Sequence, residues 1–143
     1  MKWLPFLILF VLSSCKSQQV EGVKDDRLQL IYQSDFFPVD SAQTLIIRDQ
    51  KSLKQFYSKL NRTRKPGIPI PSVDFSEKWV LVACLGASKN VSVPKMKVNK
   101  ETSVTIEIGV ERMKKNALTS TENYPVCLYS FPITDKKLTI HLD

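Results

Sequence analysis

The sequence predicts an α+β fold: a mainly antiparallel β-sheet of about five to seven short strands with one amphipathic helix, about 50–61, packed on it. Three observations lead there. Residues 79–85 (WVLVACL) form an unbroken apolar run between Lys78 and Gly86, which fits a central strand covered on both faces. Val104, Ile106, Ile108 and Val110 alternate with Thr105, Glu107, Gly109 and Glu111, the period of a half-buried strand. A single segment carries helical spacing: Leu53, Phe56, Tyr57 and Leu60 fall at i, i+3, i+4 and i+7.

Taken in chain order, the elements begin with an address. Met1-Lys2 gives a positive start, and residues 3–12 (WLPFLILFVL) are continuously apolar. As a helix that run reaches only ~15 Å, half of a ~30 Å bilayer core, so it reads as the apolar region of a signal peptide. It closes on Leu12-Ser13-Ser14-Cys15, which resembles the lipobox of bacterial lipoproteins. The resemblance implies cleavage after residue 14 and acylation of Cys15, an anchor to the membrane without a spanning helix. Lys16 after the cysteine is similar to an outer-membrane sorting signal. The Ser-Ser-Cys-Lys-Ser style is similar to lipoproteins of Bacteroidota, and without an acidic cluster in residues 16–19 the periplasmic face is the expected side. Residues 15–27 then read as a flexible tether and 28–143 as a single domain.

Within that domain, residues 28–32 (LQLIY) start a first strand that Phe36-Phe37-Pro38 interrupts, and residues 43–48 form a second. Asp49 suits a helix N-cap, because its carboxylate can accept from the unpaired amides of the first turn. Breakers from Pro66 to Pro71 end the helix. After the central strand, Val91 and Val93 have the opposite parity to Met96 and Val98, so a bulge or edge is expected at Pro94. Residues 124–131 form another strand and Leu138, Ile140 and Leu142 alternate in the last, with residues 111–123 as a long polar loop.

Residues 44–142 resemble the C-terminal-like domain of PrcB, a lipoprotein subunit of bacterial surface protease complexes. Ile46-Ile47-Arg48-Asp49-Gln50 ahead of the helix, Pro71-Ser72-Val73-Asp74-Phe75-Ser76, Trp79-Val80-Leu81-Val82, Leu85-Gly86 and Asn123-Tyr124-Pro125 carry the likeness. The family usually has a glycine-rich turn after Leu-Gly, whereas residues 87–92 here contain no glycine. The resemblance implies an accessory or binding role beside a protease rather than an enzymatic activity.

The chemistry in the sequence is sparse. Its one histidine, His141, lies on the polar face of the last strand, and no nucleophile elbow, HExxH, paired CxxC or EF-hand pattern is present. No catalytic residue, metal or other cofactor is therefore expected. The chain carries +7, with basic groups at Lys51, Lys54 and Lys59, at Arg62, Arg64 and Lys65, at Lys95, Lys97 and Lys100, and at Arg112, Lys114 and Lys115. No nucleic-acid motif accompanies them and the address lies outside the cytoplasm, so nucleic acid is not expected. A solvated face is one reading; attraction to an anionic membrane or an acidic partner is the other.

Asp74 either caps a turn or contacts a partner. Cys84 and Cys127 either form a disulfide or remain buried thiols. Asp40-Ser41-Ala42 reads as a turn or as a short O-glycosylation motif. The proline-rich stretch after the helix sets Ile68 and Ile70 beside Arg62, Arg64 and Lys65, and the isoleucines either tuck under the helix or face a partner. The leading expectation is a lipid-anchored, non-catalytic envelope protein with a protein partner. The alternative is a small-ligand-binding lipoprotein with its pocket between helix and sheet.

Overall fold

A computed structural model describes residues 25–114 and 122–142 of the chain. Cys15 and most of the expected tether lie outside the described residues. The fold is α+β and mainly sheet. Its strands in chain order are β1 (Gln29–Ser34), β2 (Gln43–Ile47), β3 (Lys78–Cys84), β4 (Ser88–Lys89), β5 (Lys95–Glu101), β6 (Thr105–Glu111), β7 (Glu122–Asn123), β8 (Val126–Pro132) and β9 (Lys137–Leu142); the helix α1 is Gln50–Leu60. Seven of these strands have five to seven residues, and the two-residue β4 and β7 pair only with each other. Sequence periodicity misses that last ladder because two residues have no period.

Apart from the short β4–β7 ladder, the strands divide between two sheets rather than one. One is four-stranded in the order β1-β8-β3-β2, all antiparallel, and the other is three-stranded in the order β5-β6-β9. β9 runs parallel to β6, because the chain passes through the first sheet as β8 between them. Alternation in the inner strands explains the layers. Val80, Val82 and Cys84 of β3 face the helix with Val126 and Leu128 of β8, while Leu81, Ala83, Cys127, Tyr129 and Phe131 face the second sheet. All of these are buried, so the run of residues 79–85 is apolar because neither side sees water.

The helix forms where its caps and stripe say. Asp49 is extended and accepts the Ser52 amide at 2.8 Å, and Asn61 follows as C-cap. Leu53, Phe56, Tyr57 and Leu60 are all buried against the first sheet. Phe37, from the segment after β1, joins them with its ring 5.0 Å from that of Phe56. On the opposite layer, Ile106, Ile108 and Val110 of β6 pack with Leu138, Ile140 and Leu142 of β9. Val104 does not share their fate: it lies in the turn before β6 and is 67% exposed. His141 is exposed, as its parity requires.

The structure resolves three further points. Of the two alternatives for Cys84 and Cys127, the structure shows buried free thiols. Cys127 pairs across the ladder with Ala83, and Cys84 with Val126, so the two thiols point to opposite faces of one sheet. Burial pushes each thiol up to about 12. The parity change at Pro94 is not a bulge within a strand. Pro94 is buried just ahead of β5, Val91 makes an isolated bridge to Lys114, and the bulge falls between Val98 and Lys100 on the edge strand β5. In the turn after β3, Gly86 (φ 65°) and Asn90 (φ 57°) take the left-handed positions. At Gly86 a Cβ would stand 2.9 Å from the backbone of Ser41 and Ala42, so glycine is required there by space as well.

Phe56→Ala is expected to lower the unfolding free energy by about 3–5 kcal/mol, read by denaturant titration. A loss below about 1 kcal/mol would mean that the ring does not fill the helix–sheet layer.

Candidate interaction site

The connection from α1 to β3, residues 61–77, is the longest described segment outside regular structure. It is held at both ends by side chains. The Asn61 amide donates to the Ile68 carbonyl at 2.9 Å, and its carbonyl accepts the Ile68 amide at 2.7 Å. That clamp seats Ile68 half-buried against the helix-side core. At the far end the Asp74 carboxylate accepts the Ser76 amide and hydroxyl, which hold its pKa below the usual range. The Asp74 carbonyl accepts the amides of Glu77 and Lys78, so the residue builds the turn that launches β3.

The six residues expected to meet a partner therefore separate. Arg62 and Lys65 are exposed. Arg64 is half-buried and turned inward, its Nη2 donating to Ser34 Oγ at 2.8 Å and to the Phe36 carbonyl at 2.5 Å. It ties the helix end to the end of β1 and is withdrawn from the expected contact surface. Ile68 is withdrawn likewise. Ile70 is 41% exposed, between Pro69 and Pro71, and Asp74 is exposed. The two isoleucines thus take the two alternatives, one each.

Ile70 stands one residue from a groove of about 260 Å³ that runs along β1. Gln29, Ile31, Pro71, Val73, Asp74 and Lys78 help to line it. Lys78 Nζ donates to Gln29 Oε1 at 3.1 Å across its end. β1 is an edge strand of the four-stranded sheet, so the groove opens beside a row of backbone groups that no described strand engages. A register break at Ile31, between Leu30 and Tyr32, interrupts the pairing of β1 with β8. Sequence reasoning missed the groove. Its lining comes from β1, β8 and the 71–78 segment, and nothing local in any of them marks the others as neighbours. By contrast, the layer between helix and sheet is occupied by the side chains of Leu53, Phe56, Tyr57 and Leu60.

Asn123-Tyr124-Pro125, just ahead of β8, holds loops together. Asn123 donates to the Val91 carbonyl, the Tyr124 backbone exchanges hydrogen bonds with Asp35 and Phe37, and the Pro125 carbonyl accepts from Leu85. Among the described residues there is no cluster of three or more His, Cys, Asp or Glu able to hold a metal ion, and no helix is long and apolar enough to cross a membrane. Comparison with protein-family models, with curated proteins and with solved structures finds no match to this chain.

The chain enters the fold at a charged clamp. Arg27 donates to Asp25 at 2.6 Å and to Glu101 at 2.7 Å, and its guanidinium lies 5.3 Å from the centre of the Phe131 ring. Lys136 completes the set by donating to Glu101 at 2.6 Å. Residues 25–27, expected as the end of the tether, are therefore part of the folded body. Arg27, with Lys136 second, holds the Glu101 carboxyl at about 2 instead of 4.5. As pH falls below about 4.5 the unfolded chain takes up a proton that the folded chain refuses, so this contribution to stability is present above that pH and is lost toward about pH 2. Glu101→Gln is expected to flatten the fall in Tm between about pH 6 and about pH 3, most visibly at low salt. An unchanged slope would show that the clamp does not persist in solution.

Proposed function

We propose that this chain is a lipid-anchored, non-catalytic envelope protein whose α+β domain binds another protein, as an accessory module of the kind the PrcB resemblance implies, with a protease complex as the partner class. Ile70 is the observation that carries the binding reading. A large apolar side chain is exposed on a segment stiffened by Pro69 and Pro71, beside the groove and the free edge of β1. Prolines reduce the entropy lost when such a segment is fixed against a partner, and an open edge offers main-chain hydrogen bonds to an extended peptide. The small-ligand alternative calls for space between helix and sheet, where buried side chains already pack.

The anchor is Cys15, acylated after removal of residues 1–14, and the place is the outer membrane on its periplasmic side. Cys15→Ala is expected to abolish acylation and leave unprocessed or mislocalised protein, read by intact mass and membrane fractionation. Normal processing and membrane retention of the variant would overturn the lipoprotein reading.

The interface is tested by Ile70→Asp beside Ile68→Ser in affinity capture from detergent-solubilised envelope, with Tm measured for each. Ile70→Asp is expected to reduce recovery of a stoichiometric partner about ten-fold with Tm within ~2 °C of the parent, since an exposed substitution rarely moves stability. Ile68→Ser is expected to lower Tm, because that side chain packs on the helix-side core. Full recovery with Ile70→Asp would place the interface elsewhere.

A further inference from the structure

Basic side chains concentrate in two acid-free stretches of the chain: 50–65, with six in sixteen residues, and 78–100, with five in twenty-three. Residues 50–65 hold six basic side chains and no acid, while the other 127 residues share fifteen basic and fourteen acidic ones. The denser of the two stretches is α1 and the turn after it, which contribute six basic charges with no acid among them. With its apolar stripe turned into the core, α1 presents Gln50, Lys51, Lys54, Gln55, Ser58 and Lys59 outward, all exposed, and Arg62 and Lys65 continue the exposed set. The nearest acid in sequence, Asp49, is spent on the Ser52 amide and hydroxyl at the helix start.

That face has no apolar anchor. A protein interface draws its energy from a few buried aromatic or aliphatic side chains, whereas a layer of lysine and arginine is attracted to an anionic lipid surface without any. The topology brings such a surface within reach. Gln29 at the start of β1, Ser130, Val80 and Ile47 form one row across the four-stranded sheet, so the chain enters the fold at the same end from which α1 departs. The three strand spacings in that row span only ~14 Å. The ten residues from Cys15 to Asp25 stretch to ~35 Å at most, several times the ~10 Å breadth of a helix.

We infer that the outer face of α1 lies against an anionic membrane surface and orients the domain on its anchor. The inference rests on the lipid-anchor reading for its geometry. Full-length chain, purified from membranes, is reconstituted in vesicles of phosphatidylcholine alone or with about 30% phosphatidylglycerol, and lysine acetylation is followed residue by residue by mass spectrometry. Lys51, Lys54 and Lys59 are expected to react about five-fold more slowly on the anionic vesicles, with Lys95 and Lys100 of β5 unchanged. The protection is expected to vanish in about 1 M salt, where screening reaches ~3 Å.

Equal rates for the helix lysines on both vesicles overturn the inference, as does protection spread evenly onto β5. Protection of the helix lysines in native envelope fragments but not on anionic vesicles overturns it in favour of an acidic protein. Intact mass of the same sample reads the acyl chains separately. A chain without them fails the anchor reading, while the difference between the two vesicles still decides the docking.

Discussion

Everything in this fold depends on burying both faces of β3 and β8. Two neighbouring antiparallel strands that are apolar at nearly every position leave no side for water. Alternate residues must therefore find separate covers. Val80, Val82, Val126 and Leu128 are covered by α1 and by the loops around Phe37 and Val73, and Leu81, Ala83, Tyr129 and Phe131 by β6, β9 and Met96 of β5. A shift of one residue in the pairing would exchange the two sets, so register is fixed by both layers at once. The second sheet exists for the same reason as the helix: each closes one half of the same apolar pair.

The sequence makes legible whatever repeats locally. The stripe Leu53, Phe56, Tyr57 and Leu60 and the cap Asp49 locate α1 almost to the residue, because helix periodicity and capping chemistry are properties of neighbours in the chain. The alternation through Ile106, Ile108 and Val110 locates β6 equally well, and fails at Val104 because parity cannot say where a strand begins. What stays hidden is set by partners distant in sequence. The β4–β7 ladder joins residues more than thirty positions apart with two residues on each side. The inward turn of Arg64 depends on Ser34 and Phe36, thirty and twenty-eight positions away. The separation of Ile68 from Ile70 depends on the Asn61 side chain, whose clamp selects one isoleucine for the core.

The exposed surface divides by chemistry along the same architecture. The edge at β1 combines a groove, the proline-flanked Ile70 and a strand without charged residues. The helix layer is polar and cationic on its outer side. The two meet at the C-terminal end of α1, where Arg64 ties the connecting segment to β1 and Asn61 seats Ile68 against the core. A contact at the edge and one on the helix layer thus share a rigid connection but no common side chain, and neither needs the other's surface to move.

The opposed thiols have a consequence for how the domain is made. Cys84 and Cys127 sit on adjacent strands, close enough in sequence register to suggest a bond, yet the pleat sends them through opposite sides of the sheet. Oxidation therefore has no native pair to trap among the described residues, and reduction has none to open. The two layers around β3 and β8 are held by hydrophobic burial, with no cross-link between these two strands. The folded domain therefore holds no cross-link between these cysteines whose reduction could loosen it, and a bond formed between them during folding would have to reverse before either core layer could close.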